Sequence, residues 1–162
     1  MGSQAWVDGA LGEAEASGRL DGVVIEHFVG GGLPPPRLRS DQLRLMTRDG
    51  RDVLVFDKPD FKKRPTKAGQ AYPNDEYTLA ASPADVQLVA RLVREAFRAP
   101  APEPPDADEQ DALHTEIIVS AHGRQATRAY RGGAPSELAS LTAAARALIE
   151  RAKTQGVHEV KR

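Results

Sequence analysis

The stretch LHTEIIVSAHGRQATRAY, residues 113–130, decides the fold class. Leu113, Thr115, Ile117, Val119 and Ala121 fall on one face with period two, the spacing of a half-buried strand. AHGR, residues 121–124, supplies a turn, and residues 125–130 return. Strands joined by so short a turn run antiparallel, because parallel neighbours need a crossover of a dozen residues or more. The spacing therefore predicts a sheet built from hairpins rather than a βαβ alternation.

Outward from that hairpin the pattern repeats. Downstream, GGAP leads into a helix over 136–153, with Leu138, Leu141, Ala145, Leu148 and Ala152 on one stripe and Gly156 as its stop. Upstream, RAPAPEPPDADEQD offers almost no apolar surface, so 99–111 reads as an extended, poorly ordered connection. Before it, Ser82 is an N-cap, Pro83 suits the first helical position, and Asp85 sits at the favourable end of the helix dipole. Val86, Val89, Ala90, Val93 and Phe97 then mark a helix over 83–97. Further upstream, residues 23–29, 43–47, 53–56 and 76–80 read as strands, with Asp49-Gly50 turning the second into the third.

The expected architecture is α+β: an antiparallel sheet of five to six strands with two helices packed on one face. Residues 21–155 form the domain and carry the acidic, proline-rich loop at 99–111. Residues 1–20 read as a flexible extension in which Trp6, Val7 and Leu11 mark either a frayed tail or a short docking segment. Residues 156–162 read as a tail.

Composition limits the function. The 162 residues are 40% hydrophobic and 28% charged, values of a folded chain with a core. A net charge of −1 argues against broad electrostatic binding to nucleic acid or an anionic membrane. The absence of cysteine removes disulfides, thiolate nucleophiles and cysteine metal ligands, and fits a cytoplasmic protein. No apolar run is long enough to span a bilayer, and the first residues lack the basic start and apolar core of a secretory signal.

Catalytic signatures are not found in the pattern. His27, His114, His122 and His158 are never spaced as a zinc-binding helical pair, and no serine stands in a nucleophile elbow. The reading is therefore a non-catalytic chain with no cofactor and no metal. The basic run KPDFKKRPTK, residues 58–67, reads as a solvated loop.

The candidate site is the segment that follows the first strand: Val29, Gly30, Gly31, Gly32, Leu33, Pro34, Pro35 and Pro36. It is no phosphate loop, since it lacks the lysine and hydroxyl of that motif and its prolines carry no N–H to donate. The glycines permit positive φ and close backbone approach. The prolines favour a stiff polyproline II path that loses little entropy on binding. Leu33 stands between them. Two readings follow: a segment that inserts into a groove on a protein partner, or a connection that packs Leu33 and Pro35 on the chain's own core.

VVIEHFVGGGLPPP, residues 23–36, resembles the opening of the emfourin-like proteins, small bacterial inhibitors of protealysin, a thermolysin-type zinc metalloprotease. In that family a strand runs into two glycines and a hydrophobic residue, then come a Leu/Ala-rich helix, an acidic loop, a hairpin and a final helix led by Pro and Leu. The matching pieces here are residues 23–33, 83–97 and 113–153, about half of the chain. Residues 43–71 look like an insertion, and Val29 replaces the polar residue usual before the glycines. The resemblance implies occlusion of a protease cleft, with Leu33 in the apolar subsite that thermolysin-type enzymes offer. The alternative is a structural or adaptor subunit that docks a non-protease partner through the same loop or through Trp6.

Overall fold

The computed structural model describes residues 5–30, 41–59, 74–100, 114–131 and 136–161. Seven strands form one antiparallel sheet: β1 (Val24–Gly30), β2 (Asp41–Arg48), β3 (Arg51–Pro59), β4 (Asn74–Ala80), β5 (His114–Ala121), β6 (Arg124–Arg131) and β7 (Val157–Lys161), in the order β6-β5-β1-β2-β3-β4-β7. Three helices accompany them: α1 (Ala5–Ser17), α2 (Pro83–Arg98) and α3 (Ala139–Gln155), the last entered through a single 3-10 turn, Ser136–Leu138.

The α+β class and the antiparallel sheet hold, as do both expected hairpins. Asp49-Gly50 joins β2 to β3 with φ of 50° and 75°, and His122-Gly123 joins β5 to β6 with φ of 50° and 76°. Two consecutive positive φ values give the turn whose twist matches that of the flanking strands. The registers follow: Leu45 opposes Leu54 in the first hairpin, and Val119 opposes Ala126 in the second. Ile25 of β1 lies between Leu45 and Val119.

One face of the sheet carries Val23, Ile25, Leu43, Leu45, Leu54, Phe56, Ile117 and Val119 into a core shared with the helices. Helix α2 contributes Val86, Val89, Ala90, Val93 and Phe97, and α3 contributes Leu141, Ala145, Leu148 and Ala152. The start of α2 is a capping box. The Asp85 N–H donates to Ser82 Oγ at 3.1 Å, and the Ser82 N–H donates to Asp85 Oδ2 at 3.0 Å. Asp85 also accepts two bonds from Arg151 of α3, at 2.7 and 3.1 Å. Burial acts to raise the Asp85 pKa, but the bonds from Arg151 and Ser82 outweigh it and hold the carboxyl below its ordinary 3.8.

Two elements lie beyond those expected. Within residues 1–20, read as a flexible extension, Ala5–Ser17 form α1, which buries Val7, Leu11 and Ala14 at i, i+4, i+7 spacing against α2. Its end is set by Gly18, whose φ of 72° suits glycine and whose N–H reaches Ala14 O at 2.8 Å. Ion pairs Arg98–Asp8 and Arg94–Glu15 tie the two helices on their outer side. Within residues 156–162, read as a tail, Val157–Lys161 form β7, which pairs with β4 along Tyr77↔His158 and Asp75↔Val160. The chain reaches β4 because Gly156 follows α3. A Cβ there would stand 2.5 Å from Ala152 O and 2.8 Å from Thr78 O, so only glycine lets the helix end lie on the strand. Among the described residues the count is therefore seven strands and three helices, where the sequence predicted five to six and two.

Candidate functional site

The candidate site is an end of the sheet. Antiparallel pairing makes Gly30 of β1 meet His114 of β5, and Val29 meet both Asp41 of β2 and Thr115. Thr115 in turn meets Tyr130 of β6. On the other side, Pro59 of β3 meets Asn74 of β4, which meets Lys161 of β7. The described residues that flank 31–40, 60–73, 101–113 and 132–135 thus all lie at one end. The opposite end holds the two-residue turns at Asp49-Gly50 and His122-Gly123.

Of the site residues read from the sequence, Val29 and Gly30 close β1, while Gly31, Gly32, Leu33, Pro34, Pro35 and Pro36 lie outside the described residues. Strand β1 is paired on both sides, to β2 through Val29 and to β5 through Gly30. The direction in which the chain enters the segment is therefore fixed by two ladders. Most of the basic run 58–67 and of the acidic run 99–111 also lies outside the described residues. Their flanking residues, Pro59 and Asn74 for the first and Pro100 and His114 for the second, belong to this same end.

Three polar clamps hold the strands here. On the face away from the helices, Asp57 of β3 accepts from Arg44 Nη2 at 2.6 Å and from Asn74 Nδ2 at 2.8 Å, joining β2, β3 and β4. Asp57 is buried, so these bonds are made in a medium that screens charge poorly. Beside it, Gln42 Nε2 donates to Glu26 at 2.9 Å, tying β2 to β1. On the helix side, the buried Arg128 of β6 donates from Nη2 to Phe97 O at 2.8 Å, and its guanidinium lies 5.3 Å from the centre of the Phe97 ring. That pairing pins the last turn of α2 to the sheet. Next to it a groove of about 410 Å³ runs between α2 and α3, lined by Leu92, Ala96, Pro100, Tyr130, Leu138 and Leu141.

The histidines are not brought together. His27 lies half-buried on the helix face of β1, with Nε2 unbonded, and burial lowers its pKa from 6.5. His122 sits in a turn at the opposite end. His158 of β7 is four places from β1 in the sheet order. It bonds Asp75 Oδ1 through Nε2 at 2.8 Å and stacks on Tyr77 with ring centres 4.4 Å apart. His114 opposes Gly30 in the ladder. Among the described residues, no group of three or more His, Asp or Glu is placed to hold a metal ion. Among the described helices, none is long and apolar enough to cross a membrane. Trp6, read as part of either a frayed tail or a docking segment, is partly buried on α1 and borders a second groove, of about 490 Å³, with Gly9, Glu13, His122 and Arg124 at the turn end.

No family model matches the chain, and no curated protein does. The emfourin-like resemblance rests on the residues that carry it. What the sequence reading missed is the gathering of the long connections. Its signal was present: two tight hairpin turns define one end of an antiparallel sheet, so the longer connections between the same strands must define the other.

Proposed function

We propose that this chain is a non-catalytic protein-interaction domain of the emfourin-like kind, which inhibits a thermolysin-type metalloprotease by filling its cleft. The inserted element is the segment from Val29 to Pro36, with Leu33 as anchor. The supporting observation is that β1, paired on both sides, delivers this segment from the end where the other long connections leave. Loops on a rigid frame are where binding residues concentrate.

The chemistry of the segment suits occlusion. Gly30, Gly31 and Gly32 allow the backbone to lie close to an enzyme wall. Pro34, Pro35 and Pro36 restrict the free chain, so less entropy is lost on docking. Burying Leu33 in an apolar subsite contributes roughly 1.5–3 kcal/mol.

Leu33→Ala tests the reading in two assays. Inhibition of a thermolysin-type protease should weaken about ten- to hundredfold, at ~1.4 kcal/mol per decade. The melting temperature should hardly move, because a residue exposed in the free chain contributes little to its stability. A loss of about 2–5 kcal/mol of stability instead means that Leu33 packs on the chain's own core. Failure of the unmutated protein to inhibit any such protease transfers the same end of the sheet to a non-protease partner, the adaptor reading.

A further inference from the structure

We infer that the outer edge of β7 is a self-association surface, and that two copies of this chain join their sheets antiparallel there, centred on Val160. Strand β7 ends the sheet, pairing with β4 alone among the described strands. An open edge strand is a template for another strand unless it is blunted. The other edge offers less to a second copy: β6, RQATRAYR, has arginines but no acidic residue, so two copies of it have no opposite charges to set face to face. By contrast, β7, VHEVK, carries both signs. It also holds the two most exposed large apolar side chains described, Val157 at 66% and Val160 at 53%.

The register follows from parity and charge. A two-fold axis perpendicular to the sheet keeps the helices of both copies on one side, so only residues of the same face can oppose each other. That leaves pairings centred on His158, Glu159 or Val160. Centring on Glu159 sets it against Glu159 of the second copy. Glu76 neighbours Glu159 in the ladder, so four carboxylates would line one row. Centring on His158 opposes two histidines and sets Val157 against Glu159. Centring on Val160 opposes Val160 to itself and sets Glu159 against Lys161 twice, once for each copy. Opposite charges facing across strands favour a register, and like charges disfavour it. The axis also turns the two loop ends in opposite directions, so the dimer leaves both free whatever partner they bind.

Sedimentation equilibrium on the full chain tests this. Centred on Val160, only Glu159, Val160 and Lys161 of each β7 oppose the second copy, so the dimer buries little area and is a weak one, with a Kd on the order of 100 µM. Glu159→Lys and Lys161→Glu should each raise that Kd about tenfold or more, and the double variant should return to within about threefold of the original. Thermal melts of the variants should match the parent. The natural absence of cysteine allows a second test that needs no charge change. With diamide as oxidant, Val160→Cys should form a disulfide-linked dimer more than about tenfold faster than Val157→Cys, since Val160 faces its own copy and Val157 does not. A parent protein monomeric to about 1 mM overturns the inference. So does a folded double variant that fails to recover, or equal cross-linking at the two positions.

Discussion

The two ends of the sheet are built by different rules. At the turn end, Asp49-Gly50 and His122-Gly123 reverse the chain in two residues, with backbone angles that glycine tolerates and other residues resist. At the loop end the strands stop at Gly30, Pro59 and Arg131, and the chain takes up to fourteen residues, 60–73, before it returns. The turn end sets register. At the loop end side-chain clamps hold the strands, through Asp57, Gln42 and Arg128. A sheet organised this way keeps one end invariant in shape while the other can carry segments of unusual composition.

That contrast can be broken most strongly at the clamp. Asp57→Ala leaves Arg44 and Asn74 without their shared acceptor in a largely buried place. It should cost about 2–3 kcal/mol in a denaturant melt. Amide exchange should rise in β4 near Asn74 and stay unchanged at His122-Gly123. Uniform loss of protection at both ends would mean that the clamp serves the whole sheet and not its loop end.

A turn residue gives a smaller effect. A Cβ at Gly123 meets nothing within 4 Å, so Gly123→Ala isolates the strain of its φ of 76°. The expected cost is about 1 kcal/mol, with binding at the loop end unaltered. An effect on inhibition as large as that of Leu33→Ala would join the two ends functionally and defeat the comparison.

The slightest effect is a slope in pH. Burial lowers the His27 pKa from 6.5, so below that pH the unfolded chain binds a proton that the folded chain refuses. The contribution is complete above 6.5 and is lost as pH falls through the window just beneath it. In His27→Gln that part of the stability profile should flatten. The acid limb set by Asp85, whose pKa is held below 3.8, should persist. An unchanged profile would show that His27 takes up its proton without cost.

Much of this frame was legible in the sequence because its signals are local. The β2–β3 and β5–β6 hairpins announce themselves by their turn residues, and α2 by Ser82, Pro83 and its apolar stripe. Helix α1 does not, because Gly9 and Gly12 each weaken a helix by about 1 kcal/mol and its buried stripe is only three residues long. It becomes readable only with α2 beside it. Strand β7 was hidden for a related reason. Val157 and Val160 are three apart and so point to opposite faces, which breaks the alternation. Its place is set by remote partners instead, Asp75 and Tyr77 of β4. The candidate segment stood out by composition, but its company at one end of the sheet belongs to topology, which no single stretch of residues displays.

The central claim, that the loop end is the binding end, is tested most directly by hydrogen exchange on the chain alone and with a catalytically inactive thermolysin-type metalloprotease. The account predicts new protection in residues 29–41, extending to the strand ends near Asn74 and Thr115, with Asp49-Gly50, His122-Gly123 and the Trp6 groove unchanged. Protection at the turn end or at Trp6, with none in residues 29–41, would contradict it.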